Sequence, residues 1–165
     1  MQSSNSLERE RGPFWFLERS LDAIEREAPV AYGLIVRALG RRAIVIAIGD
    51  DVATLSMASG SHAIARDGGA RGAVELSLTE AIVRRLLEGR LTIVDAALAG
   101  DLVLRGAADD LAALHDALLA FIHGAVRSSS TPRLLESYLD RDAPSNGRPR
   151  SRGANHGERH GPPHR

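Results

Sequence analysis

Residues 86–124, "LLEGRLTIVDAALAGDLVLRGAADDLAALHDALLAFIHG", constrain the fold more than any other stretch: leucine is dense, and glycine recurs at positions 89, 100, 106 and 124. Glycine interrupts regular structure, so the segment divides into several short elements rather than one long helix. Just upstream, Val74, Leu76 and Leu78 alternate as one face of a strand. Ser77 and Glu80 form a capping box, which predicts a helix that starts there and stops near Gly89. Ile82, Val83, Leu86 and Leu87 make its apolar stripe. Thr92 with Asp95 repeats the capping pattern and opens a short helix ending at Gly100. Leu102 and Leu104 then point the same way along a last strand. From Asp109, Leu111, Leu114, Leu118, Leu119 and Ile122 follow helical spacing, closed by Gly124.

The first half has a different rhythm. In "PFWFLERSLDAIEREA", Leu17, Leu21 and Ile24 mark an amphipathic helix, and Pro29 separates it from a second helix stopped by Gly40. Ile44–Ile48 is apolar on both faces, as in a central strand covered on two sides. Gly49-Asp50-Asp51 is turn chemistry, and Val52–Met57 reads as the hairpin partner. "HAIAR" is a weaker strand before the turn residues Asp67-Gly68-Gly69. The order predicts an α+β domain, helices on one face of a mainly antiparallel sheet. Four segments follow: a helical 1–42, a sheet-and-helix unit 43–126, a helical extension 127–140 and a tail 141–165.

The tail is Arg, His, Pro and Gly, which cannot form a core and reads as disordered. It carries 6 arginines and 2 acids, whereas residues 1–140 carry 15 arginines and 19 acids. A mildly acidic body does not fit duplex binding, and a tail without aromatics offers no base stacking, so no specific nucleic acid is expected. Without cysteine or lysine, disulfides, zinc–thiolate sites, thiol nucleophiles and Schiff bases are excluded. The start "MQSSNSLERERG" lacks the apolar run of a secretory signal, and no window reaches a membrane span, so a cytoplasmic protein is expected.

The segment "LLEGRLTIVDAALAGDLVLRGAADDLAAL" resembles the sterol carrier protein 2 family over about residues 72–123. The shared parts are the glycine-ended helix at Gly89, the piece "DAALAG" through Gly100, the strand at Leu102 and Leu104, Gly106, and the leucine-rich helix Leu111–Ile122. The resemblance implies a five-stranded sheet with helices over one face and an apolar tunnel between the layers for sterols, acyl chains or similar lipids. The family usually carries a basic residue after the second of these glycines and another before the third; here Arg105 is kept, but Asp101 takes the first position.

The residues independently allow such a gap. Val74, Leu76, Leu78, Leu102 and Leu104 on strands face Ile82, Leu86, Leu98, Leu111, Leu114, Leu118 and Ile122 on helices, with many alanines between. These twelve are the expected lining of a ligand cavity. Phe14-Trp15-Phe16 cannot all enter one core; either two are buried with one at the rim, or they form a mouth-closing or membrane-contacting element. His115 and His123 are eight apart and do not make a metal pair, and His62 reads as a surface or cap residue. Asp50-Asp51 and Asp109-Asp110 sit where turns and helix starts favour aspartate. No catalytic residue, metal site or cofactor is therefore assigned. The expected partner is a hydrophobic small molecule or lipid, met through transient membrane contact. A cyclase or isomerase using the same cavity, and an accessory subunit with a protein partner or homodimer contact, are the alternatives.

Overall fold

Helix α1 (Pro13–Glu27) and helix α2 (Pro29–Leu39) each begin with a proline, whose fixed φ suits the first helical turn. Pro29 also ends α1, because the residue before proline is pushed out of helical geometry; Ala28 sits at φ −136°. The computed structural model describes residues 12–66 and 72–140. The expected turn Asp67-Gly69, the leading residues 1–11 and the tail 141–165 lie outside them.

Five strands follow the helical pair: β1 (Ile44–Ile48), β2 (Asp51–Ala58), β3 (Ser61–Ala65), β4 (Val74–Leu78) and β5 (Leu102–Gly106). Their order across the sheet is β3-β2-β1-β4-β5. Hairpins join β1 to β2 and β2 to β3, and β4 pairs antiparallel with β5. The β1–β4 pair is parallel, with Ile44 opposite Val74 and Ile48 opposite Leu78. The sheet is thus mixed, in an α+β fold. Helices α3 (Glu80–Leu87) and α4 (Ile93–Leu98) connect β4 to β5, and α5 (Ala108–Arg127) and α6 (Thr131–Leu139) complete the chain.

Three local expectations need correction. The cap of α3 is Thr79 and not Ser77: Thr79 Oγ1 accepts the Ile82 N–H at 3.3 Å. Ser77 is held in the ladder opposite Ala47 and Val103, so it cannot turn to cap a helix. Gly124 does not close α5, which runs on to Arg127. There the missing side chain admits α1 and α2: a Cβ at Gly124 would lie 2.5 Å from Ile24 Cγ2 and 3.1 Å from Ala31 Cβ. Finally, the helix-covered face of β1 carries Ile44, Ile46 and Ile48, whereas Val45 and Ala47 face the other side and are half-buried.

One hydrophobic core joins the helical N-terminal segment to the sheet. It includes Leu21, Ile24, Ile35, Leu39, Ile44, Leu55, Val74 and Ala120. A smaller cluster of Ile82, Ala96 and Leu102 lies toward the β5 edge. Two polar contacts tie distant segments together. Arg42 Nε donates to Asp110 Oδ1 at 2.6 Å, linking the approach to β1 with the first turn of α5. Glu27, at the end of α1, accepts from Ser128 Oγ at 2.9 Å, Ser129 Oγ at 3.0 Å, the Ser130 N–H at 3.2 Å and the Ser130 hydroxyl.

Candidate ligand-binding site

A cavity of about 520 Å³ opens between the sheet and its helices. Its floor is Ile44, Ile46 and Ile48 of β1, Leu55 of β2, and Leu76 and Leu78 of β4. Alternation along each strand aims these residues at one face, and the β1–β4 register brings Ile46 beside Leu76 and Ile48 beside Leu78. The roof comes from Phe16, Leu17 and Leu21 of α1, Ile35 and Leu39 of α2, and Leu114, Ala117, Leu118 and Phe121 of α5. Val83, Leu86 and Leu87 of α3 form a side wall, continued by Leu91. Thr92, Ile93 and Ile122 also line the space and are exposed, which places the opening between the α3–α4 connection and the C-terminal half of α5.

Among the described residues that line it, Thr92 is the single polar one, and its hydroxyl is engaged with Asp95, donating to Oδ2 at 2.6 Å. Among the described residues, no titratable side chain lines the space. Such a lining can hold an apolar body by exclusion of water and by shape.

Of the twelve residues expected to line a cavity, Leu76, Leu78, Leu86, Leu114, Leu118 and Ile122 lie on its wall. Val74 is fully buried in the main core and Leu111 packs against it. Ile82 and Leu102 build the smaller cluster. Leu98 is 83% exposed and Leu104 39% exposed. Both stand at the β5 edge, where six-residue α4 buries only Ala96 and leaves the strand's end uncovered. The alanines do not hold the gap open, as Ala117 alone among them lines it. Ala28, Ala31 and Ala120 instead lie in the core, where they let α1, α2 and α5 approach closely.

The aromatic triplet divides. Phe14 is buried in the core beneath the Arg66 guanidinium, 5.9 Å from its ring centre. Phe16 lines the cavity and packs on Tyr138 with ring centres 5.3 Å apart. Trp15 is half-buried in an outer groove with Arg19, Arg26, Ser130 and Arg133. Arg105, the retained basic residue, pairs across strands with Glu75 on the face away from the helices, and Asp101 is exposed.

Sequence reasoning missed the contribution of α1 and α2 to the wall, although Leu17 and Leu21 already formed a stripe. It also missed Ile44, Ile46 and Ile48, whose alternate positions were the available signal.

No family model and no curated protein sequence matches the chain. Solved structures do. A UbiJ-SCP2 ubiquinone synthesis protein superposes with a TM-score of 0.50 at 11% identity, over 64% of this chain and 88% of that one. The sterol carrier protein domain 2 of Helicoverpa armigera gives a TM-score of 0.48 at 16% identity, over 66% and 87%. The inverting sec-alkylsulfatase Pisa1 from Pseudomonas sp. gives 0.40 at 17% identity, over 52% of this chain; this chain spans only 14% of that enzyme. The fold is that of a sterol carrier protein 2-like domain. Among the described residues no helix is long and apolar enough to cross a membrane.

Proposed function

We propose that the chain holds a sterol, fatty acyl or polyketide-like molecule in the cavity between its sheet and helices, and carries or presents it rather than transforming it. The observation that supports this reading is the cavity itself: a space of about 520 Å³ whose lining is apolar except at Thr92. Ligand pockets of roughly 300–1,000 Å³ with few polar groups are the usual size for molecules of this kind. The sheet–helix likeness to a UbiJ-SCP2 protein is consistent with it.

The energetics define the task. Taking an acyl chain out of water gains roughly 0.8 kcal/mol per methylene, and a bilayer offers nearly the same gain. Net preference over membrane is therefore small, which suits release at a destination. Selectivity comes from the shape set by Phe16, Phe121 and the isoleucines of β1. Contact with a donor membrane belongs to the same proposal. Trp15 with Arg19, Arg26 and Arg133 provides an interfacial ring beside guanidinium groups, and Trp15→Ala is expected to slow uptake from anionic vesicles.

An accessory-subunit reading has separate support. Val30, Leu34, Leu119 and Val126 are exposed on α2 and α5, and Leu34 and Leu119 share a shallow groove. Analytical ultracentrifugation of the purified chain tests whether a second copy covers them.

The main test is binding. Native mass spectrometry of the chain purified from its own host is expected to reveal a bound hydrophobic mass. The delipidated chain is expected to take up at least one of a fluorescent fatty acid, a sterol and a polyprenyl quinone. Leu118→Trp, which puts an indole into the cavity, is expected to weaken that uptake at least tenfold while the thermal midpoint stays within a few degrees. Uptake unaffected by this substitution, or no uptake of any of the three, defeats the proposal.

A further inference from the structure

The edge strand β3 meets α1 through a group of polar side chains that the ligand cavity does not use. Asp22 and Glu25 are three apart on α1 and so share one face of the helix. His62 of β3 enters between them, its side chain only 9% exposed. Its Nε2 lies 3.2 Å from Asp22 Oδ1 and its Nδ1 3.9 Å from Glu25 Oε2. One ligand atom from each of the three residues falls within 4.8 Å of the other two. We propose that Asp22, Glu25 and His62 bind one divalent first-row transition cation, for which zinc is the probe, and that the ion clamps the sheet edge to α1.

Three features favour a cation here over a simple ion pair. The first is the partner behind the imidazole. Tyr32 Oη lies 2.9 Å from His62 Nδ1 and accepts the backbone N–H of His62, also at 2.9 Å. With Tyr32 holding the ring at Nδ1, Nε2 is the nitrogen turned toward Asp22, and a polar partner behind the ring is what orients metal-binding histidines.

The second is spacing. Tetrahedral ligands at about 2.1 Å from zinc lie roughly 3.4 Å from one another. The 3.2 Å between Asp22 Oδ1 and His62 Nε2 already meets this, and the exposed Glu25 carboxylate, which lies 3.9 Å from Nδ1, swings inward to join them on the Nε2 side. Arg19 approaches the other Asp22 oxygen, Oδ2, at 3.7 Å and leaves Oδ1 available.

The third is charge and ligand type. Asp22 and Glu25 together bring more negative charge than the Arg19 guanidinium beside them offsets, which favours a cation. One nitrogen and two oxygens, with a place for water, suit zinc and its neighbours better than calcium or magnesium, which take six or more oxygens. Since α1 also supplies Phe16, Leu17 and Leu21 to the cavity roof, the ion would fix that roof to the sheet.

The full chain, stripped with a chelator, is titrated with zinc while its thermal midpoint is followed, and cobalt is substituted to read ligand-field absorption. His156, His160 and His164 of the C-terminal segment can also take up zinc, so the readout is the midpoint and not total uptake. Zinc is expected to raise the midpoint of the wild type. Asp22→Asn and Glu25→Gln, both at exposed carboxylates, are each expected to weaken that effect at least tenfold in zinc concentration and to remove the cobalt bands, with metal-free midpoints near wild type. A midpoint that zinc does not move, or moves equally in both variants, overturns the proposal.

Discussion

Replacing Gly124 with alanine should destabilise this chain, even though alanine is the better helix former. Gly124 lies inside α5 and is buried against α1 and α2. An added Cβ would stand 2.5 Å from Ile24 Cγ2, 3.2 Å from Ile24 Cγ1 and 3.1 Å from Ala31 Cβ. Ile24 is fully buried, and a β-branched side chain in a helix has essentially one rotamer, so it cannot swing aside. The helices must separate instead. Overpacking of this kind costs about 1–3 kcal/mol, and the absence of a yielding neighbour puts this site in the upper part of that range. Helix propensity returns about 1 kcal/mol. The net loss is therefore about 1–2 kcal/mol, a fall in midpoint of roughly 4–8 °C.

Gly33 is the matched control. It lies inside α2, and an added Cβ would meet nothing within 4 Å. Gly33→Ala should gain about 0.5–1 kcal/mol from propensity alone. The two variants, melted side by side and unfolded in urea to confirm an unchanged m-value, should move in opposite directions. If Gly124→Ala melts at or above wild type, close approach of α5 to α1 is not what this glycine provides.

Two further perturbations probe how the helices are fastened. The hydroxyls of Ser130 and Ser128, with the Ser130 N–H and Ser129, hold the Glu27 carboxyl down to about 2 from its ordinary 4.5. Its contribution is therefore intact above about pH 4.5 and is lost as pH falls from there toward 2. Glu27→Gln should lower the midpoint at neutral pH, and the gap to wild type should narrow through that window in acid melts. A gap that stays constant with pH contradicts the assignment. Tyr138 is 1% exposed and packs on Phe16, so Tyr138→Ala should cost about 3–5 kcal/mol, read by urea unfolding; a loss under about 1 kcal/mol would mean that α6 is not part of the core.

The local grammar of this chain was legible residue by residue. Pro29, the alternation through Val74–Leu78, the Thr92–Asp95 cap and the stop at Gly100 each act over a few residues, so spacing alone reveals them. Gly100, at φ +78°, ends α4 with a conformation few other residues adopt. The α+β order of elements followed from these signals, and the likeness to sterol carrier domains rested on the resemblance over residues 72–123. Tertiary structure decided what spacing cannot carry. Gly124 looked like a terminator because propensity is local, but its role depends on Ile24 and Ala31, about a hundred residues away. Leu98 and Leu104 fit an apolar pattern as well as Leu114 and Leu118 do, yet only the latter pair line the cavity. Which side of a strand is covered depends on helices encoded elsewhere. The meeting of His62 with Asp22, Glu25 and Tyr32 likewise exists only because the β2–β3 hairpin returns an edge strand to α1. A sequence specifies its elements through neighbours along the chain; a cavity or a cluster of ligands needs neighbours in space.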